Sequence, residues 1–163
     1  MARYVLIILL AIAVVALLVL IAGQAGLLRG KQPTDLGFKE GKLKRPSKTQ
    51  NSVTSQAALW PEHPQQAYAS IEPIRITGDG SLEMAKIVAT LQAMPRTAIV
   101  EQTPTYIYAQ CSTQLLKFTD DVEFVLDAPA GVIHVRSASR LGQKDFGVNR
   151  ARINTIAQLV NPS

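Results

Sequence analysis

The residues best suited to chemistry lie in two strand-like segments between residues 118 and 140. The first segment carries three acids among apolar residues, and the second carries basic and hydroxyl residues. Charged side chains this dense inside strands need partners, because an unpaired buried charge costs several kcal/mol. We therefore predict either a polar binding site or a satisfied salt-bridge network. The candidate ligand- or partner-binding residues are Asp120, Asp121, Glu123, Arg136, Ser137, Ser139, Arg140, Asp145, Asn149 and Arg152.

The pairing of these two strands can be predicted residue by residue. Residues 128 to 131, with the sequence APAG, make a natural four-residue hairpin loop. This loop places Phe124 opposite Val135 on one face and Glu123 opposite Arg136 on the other. A slip of one residue would set each apolar row against a polar row, so the register is strongly specified.

Asp120 breaks the pattern, because it falls on the apolar face, opposite Ser139 in this register. Its partners could be Ser137 and Ser139, Arg140 at the strand end, or Arg150 and Arg152 on the last helix. One interpretation is a small polar pocket that accepts an anionic or polar ligand through arginine. The other, which we favour, is a buried network that pins the last helix to the sheet.

The opposite face of this hairpin carries Asp121, Glu123, His134 and Arg136. We expect this face to be solvated, with cross-strand charge pairs that contribute only about 0.2 to 1 kcal/mol each.

The chain shows little that is typical of an enzyme. Its histidines, His63 and His134, lie far apart in sequence, and Cys111 is the single cysteine. No nucleophile and base are paired at a readable spacing, and there is no phosphate loop or GxGxxG motif. We predict no catalytic residues, metal site or cofactor. The alternative is a small hydrolase or transferase, with Asp120 or Asp121 as the base and Arg136 or Arg140 holding an anionic substrate.

Hydrophobic periodicity predicts an α+β fold of βαβββα order, an antiparallel sheet with helices on one face. Cys111 is expected to point into the core as a small hydrophobe. The predicted elements are a strand at 71–76, a helix from 79 or 81 to 93, strands at 98–112 (long or broken), 116–127 and 132–140, and a helix from about 147.

Eighteen consecutive apolar residues, 5 to 22, are long enough to cross a membrane as a helix. A cleaved signal peptide is the alternative, but its apolar region usually runs about 7 to 15 residues. We therefore predict a single-pass transmembrane anchor at 1–23, a basic flexible linker or arm at 24–56, and a compact domain at 57–163.

The positive charge of the chain is concentrated next to the anchor. Residues 24–50 carry a net charge of +5, whereas residues 51–163 carry −1. A basic segment beside a span suits contact with anionic headgroups, while nucleic-acid binding would need a basic face on the domain itself. We expect the membrane as a partner and no nucleic acid. The basic linker favours a cytoplasmic domain by the positive-inside rule.

Five segments carry a resemblance to the domain of unknown function 1499 family, which covers nearly all of the chain after the anchor. They are TDLG (34–37), IEPIR (71–75), FTDDVEF (118–124), IHVRSASRLG (133–142) and DFGVNR (145–150). The family typically has a cysteine pair in the arm, where this chain has Pro46 and Ser52.

The resemblance implies no reaction and no catalytic residues. It implies secreted, lumenal or membrane-tethered relatives, some of them connected with the assembly or protection of membrane complexes. This favours a bacterial inner-membrane protein with its domain on the periplasmic side. The function we predict is a membrane-anchored, non-enzymatic binding or assembly/protection module of the cell envelope. Its polar cluster would recognise a polar ligand or a membrane-protein partner.

Overall fold

The computed structural model describes residues 1–162 and shows, over that range, four α-helices and one antiparallel six-stranded sheet. This confirms the predicted α+β class. The helices are α1 (Ala2–Gln24), α2 (Gln66–Ala69), α3 (Ser81–Ala93) and α4 (Val148–Val160), with a 3₁₀ turn at Ala57–Leu59. The strands are β1 (Ser52–Thr54), β2 (Ile74–Arg75), β3 (Thr97–Gln102), β4 (Tyr106–Ser112), β5 (Thr119–Asp127) and β6 (Val132–Ser139).

The β5–β6 hairpin adopts the predicted register. Phe124 pairs with Val135, Glu123 with Arg136, and Asp120 with Ser139. The strand order is β1-β6-β5-β4-β3, and β2 pairs with the same edge of β6 as β1 does. β1 therefore joins the sheet although it lies upstream of residue 57, where we predicted that the domain begins.

Helices α3 and α4 pack on one face of the sheet and form the core with it. The fully buried residues there include Ile87 and Leu91 of α3, Phe124 of β5, and Ile153 and Ile156 of α4. Cys111 belongs to the same cluster, as predicted from its place in the alternating strand.

The other face of the sheet is covered by the segment between α1 and β1. From here on, the arm means these residues, 25–51, because the predicted arm of 24–56 also includes the last residue of α1 and the strand β1. Leu43 of the arm is only 2% exposed, and its amide donates to Gln56 Oε1 at 2.8 Å. The Gly37 amide donates to Glu123 Oε1 at 2.8 Å. The arm thus docks through isolated anchor points.

Helix α1 is long and apolar enough to cross a membrane, a property that signal sequences near an N-terminus share. Its last turn contacts the loop between β4 and β5. Gln24 Nε2 donates to the Leu115 carbonyl at 2.8 Å, and a Cβ at Gly23 would lie 2.8 Å from Leu116 Cα. This close approach fixes which end of the domain adjoins the helix.

Candidate functional site

The alternation of side chains along β5 sends its acids to opposite faces of the sheet. Asp120 lies on the helix side with Val122 and Phe124, whereas Asp121 and Glu123 lie under the arm. The ten predicted site residues are therefore brought together as two groups. We call them the helix-side network (Asp120, Ser137, Ser139, Asp145, Asn149, Arg152) and the arm-side layer (Asp121, Glu123, Arg136, Arg140).

In the helix-side network, an arginine from α4 reaches the sheet. Arg152 Nη2 donates to Asp120 Oδ2 at 2.6 Å. Its Nη1 donates to Ser137 Oγ at 2.9 Å and to Asn149 Oδ1 at 2.8 Å. The Asn149 amide group in turn donates to Ser139 Oγ at 3.0 Å. Asn149 and Ser137 are fully buried, so this network joins β5, β6 and α4 inside the fold.

Asp145 organises the start of α4. Its carboxylate accepts from the Gly147 amide at 3.0 Å, from the Asn149 amide at 3.2 Å and from the Tyr68 hydroxyl. Burial alone would raise the pKa of Asp145, but these hydrogen bonds outweigh it and leave the pKa below its usual value. The N-cap residue of α4, Gly147, has no side chain that could cap the helix, and Asp145 supplies an acceptor for a first-turn amide instead.

In the arm-side layer, each of the two acids, Asp121 and Glu123, is paired with an arginine. Arg140 donates from Nε and Nη2 to the two oxygens of Asp121, at 2.9 and 2.7 Å. Tyr108 adds a hydrogen bond to Asp121 Oδ1 at 2.5 Å. The bidentate pairing raises the pKa of Arg140, and burial followed by the Asp121 hydrogen bond raises the pKa of Tyr108. Arg136 Nη1 lies 3.3 Å from Glu123 Oε2.

Our expectation of a solvated face was wrong for these residues. Asp121, Glu123 and Arg136 are 1%, 0% and 3% exposed. The arm causes this burial, because it brings a backbone donor to Glu123 and lies across the sheet. Arg140 likewise does not pair with Asp120, since it leaves the end of β6 on the arm side and binds Asp121.

Sequence reasoning missed the tyrosines of β4. Tyr106 donates to Glu123 Oε1 at 3.0 Å, and Tyr108 joins Asp121 to Arg140. Their alternation with Ile107 was a usable signal, because it places both hydroxyls on the face that carries these two acids. Asn51 was also missed. Its side chain donates to the Gly142 carbonyl at 2.7 Å and closes the loop after β6.

A pocket of about 280 Å³ opens at the end of the domain that adjoins α1, and we call it the end pocket. Its polar and charged lining comprises Thr113, Thr119, Asp120, Ser139, Lys144 and Asp145. Asp120 Oδ2 accepts a hydrogen bond from Arg152 at 2.6 Å, whereas Oδ1 accepts none from residues 1–162. The remaining lining is mostly apolar, from Phe118, Leu141, Phe146 and Val148.

The end pocket lies beside the C-terminal end of α1, because Thr113 and Phe118 in its lining flank the loop that α1 contacts. Several apolar side chains here face solvent, including Phe146 at 92% and Leu115 at 63% exposure. Among the described residues, no group of three His, Cys, Asp or Glu side chains is arranged to hold a metal ion.

Comparison with known proteins gives a family but no individual relative. No curated protein and no solved structure matches the chain significantly. The model of one family matches residues 42–160, which include every residue of both the arm-side layer and the helix-side network. The chain therefore belongs to the family described as protein of unknown function (DUF1499).

Proposed function

We propose that the protein is a membrane-anchored, non-enzymatic binding module, and that its end pocket takes an amphipathic molecule from the bilayer. In this proposal α1 is retained as the anchor. The observation that carries it is an apolar-walled pocket, with a free carboxylate oxygen, beside the end of a helix long enough to span a membrane.

The chemistry of the pocket indicates the class of ligand. Its walls suit a hydrocarbon portion, whose burial is favourable by about 25 cal/mol per Å². Asp120 Oδ1 can accept a hydrogen bond, so the polar end of the ligand should be a donor such as a hydroxyl, an amine or an amide. Arg152 holds the carboxylate in place at 2.6 Å and so orients this acceptor. A volume of about 280 Å³ suits the end of a lipid rather than a large cofactor.

The contacts of Asp120 and Asp121 do not favour the hydrolase or transferase alternative, which names one of them as the base. Both oxygens of Asp121 already accept hydrogen bonds from Arg140 and Tyr108. Asp120 is held by Arg152, and the nearest hydroxyls of the network, on Ser137 and Ser139, are engaged with Asn149. These side chains hydrogen-bond to one another and to neighbouring residues, and none of these acids is arranged as a base beside a nucleophile.

The proposal can be tested with photoreactive probes in the full chain. We would reconstitute the protein in phosphatidylcholine vesicles with a long-chain alcohol that carries a diazirine near its hydroxyl. The matching methyl ether, which lacks the donor, serves as the paired probe. Mass spectrometry should find the alcohol cross-linked to the peptide containing Leu141 and Phe146, at several times the yield of the ether.

Two aspartate substitutions provide the matched protein controls. Phe146→Asp should reduce this cross-linking, because it places a charge on the apolar wall of the pocket. Leu82→Asp, at a residue 59% exposed at the start of α3, should leave it unchanged. Equal labelling by both probes would overturn the proposal, as would labelling by the alcohol confined to α1. A protein partner that blocks labelling would point instead to a membrane-protein ligand for the same pocket.

A further inference from the structure

A second cavity, of about 240 Å³, lies between the arm and the sheet, on the opposite face from the helix-side network. We call it the arm cavity. Its charged lining is mostly basic and comprises Lys31, Lys44, Arg45, Arg136 and Arg140, with Asp121 as the acid. Pro33, Pro46 and Ser47 of the arm complete much of the wall.

Ion pairing leaves part of this positive charge uncompensated. Asp121 neutralises Arg140 at 2.7 Å, Asp35 neutralises Lys44 at 2.6 Å, and Glu123 lies 3.3 Å from Arg136. Lys31 and Arg45 form no salt bridge to any residue that the structure describes. Because Asp121 is bound by both nitrogens of the Arg140 fork, it does not cancel these two charges.

Arg136 supplies an independent observation. The residue is only 3% exposed, yet its Nε is buried with no hydrogen-bond partner among the described residues. A buried guanidinium N–H without an acceptor is unfavourable, and native proteins rarely leave one. The same side chain lines the arm cavity, so a ligand there could bring the missing acceptor.

We propose that the arm cavity binds a phosphate group, held by Arg136, Arg45 and Lys31. Phosphate offers several acceptor oxygens and matches the fork of donors on arginine. The volume of the cavity is below the usual range for drug-sized ligands, which favours a single phosphate group over a nucleotide. The source of the phosphate is a free anion or a lipid headgroup. Lys31 follows the end of α1 by seven residues, at most about 25 Å of extended chain, so headgroups are within reach.

Inorganic phosphate is the first probe, used with the full chain in a neutral maltoside detergent. The fluorescence of Trp60, the single tryptophan, reports the melting temperature while phosphate replaces chloride at constant ionic strength. We expect a saturable rise in the melting temperature. In Lys31→Gln/Arg45→Gln the half-saturating concentration should increase at least about tenfold, because contacts to charged groups are lost. Both residues are exposed, so these substitutions should not prevent folding.

Two further variants separate the cavity from general effects of salt and charge. Arg75→Gln/Arg96→Gln removes the same charge at exposed positions outside the cavity, and it should respond like the wild type. Arg136→Lys keeps the charge but removes the Nε donor, and it should weaken phosphate binding as well. If phosphate stabilises Lys31→Gln/Arg45→Gln and Arg136→Lys as much as the wild type, the proposal is wrong.

Mixed micelles distinguish the two sources. If phosphatidic acid raises the melting temperature, inorganic phosphate does not, and Arg136→Lys abolishes the effect, the ligand is a lipid headgroup. If inorganic phosphate alone acts, the ligand is a free anion. If neither probe has an effect that depends on Arg136, the cavity does not bind phosphate. These outcomes do not depend on the end pocket, which lies on the other face of the sheet.

Discussion

At the scale of the residue, the buried carboxylates of this protein are surrounded by hydrogen-bond donors, and Asp145 shows what these donors do. Asp145 is nearly buried, yet backbone amides, Asn149 and Tyr68 surround its carboxylate with hydrogen-bond donors. Such donors stabilise the charged form, and the carboxylate in turn satisfies amides at the start of α4 that have no partner within the helix. The stability of the fold should therefore depend on the ionisation of Asp145.

Asp145→Ala should lower the free energy of unfolding by about 2 kcal/mol at pH 7, because it removes a helix cap and leaves buried donors unpaired. The pKa of Asp145 is lower in the fold than in the unfolded chain. Its contribution is therefore complete above the unfolded value of about 3.9 and is lost as the pH falls through the folded value. Urea denaturation of the full chain from pH 7 to pH 3 should show the difference between wild type and variant narrowing below about pH 4. A constant difference would contradict this account.

At the scale of the element, α4 is held to the sheet by apolar packing and by one buried ion pair. Ile153 and Ile156 fill the core, while Arg152 on the same helix reaches Asp120 and Ser137 on the neighbouring strands β5 and β6. The sequence predicts this connection only as one of several, because Arg140, Arg150 and Arg152 were all candidates for Asp120. Arg152 is the partner of Asp120 because it lies on the face of α4 that packs on the sheet. Arg140 is not, because it leaves β6 toward the arm and pairs with Asp121.

Arg152→Ala should cost about 3 to 5 kcal/mol of unfolding free energy, because it leaves Asp120 buried without its counter-charge. The side chains of this pair are 10% and 9% exposed, so solvent can do little to compensate. Chemical denaturation of the full chain in detergent measures the loss, and Arg75→Ala, at an exposed position, is the control. In the double variant Arg152→Ala/Asp120→Asn much of the stability should return, since the unpaired charge is gone. A single variant with wild-type stability would show that the pair does not hold α4.

The fold and the site differ in how far the sequence could predict them. The β5–β6 register follows from alternation, since Phe124 and Val135 must share the core face. The arm shows no such period, because it docks through single contacts such as the Gly37 amide and Leu43. Nothing in β5 itself indicates that a separate segment would bury Asp121 and Glu123. The register therefore predicts that the candidate residues divide between the two faces of the sheet. It does not predict that the arm-side layer is buried.

At the scale of the whole molecule, both candidate cavities lie around one end of the sheet, where α1 meets the domain. Ser139 lines both, with the end pocket on the helix side and the arm cavity on the other. Gly23 packs against the Leu116 backbone, which brings the exposed Leu115 next to the end of α1. If α1 spans the bilayer, this edge of the domain must lie at the membrane surface, where exposed Phe and Leu side chains are stable.

This placement can be measured with an environment-sensitive NBD label on single introduced cysteines in the full chain, reconstituted in vesicles. NBD on Phe146→Cys and on Leu115→Cys should show blue-shifted emission that quenchers attached to lipids reduce, because both positions would enter the membrane–water interface. Leu82→Cys, which is similarly exposed at the start of α3, should report water. The native Cys111 need not be replaced, since burial raises the pKa of its thiol and keeps it unreactive. If all three positions report the same aqueous environment, the domain stands away from the bilayer and the end pocket cannot draw its ligand from it.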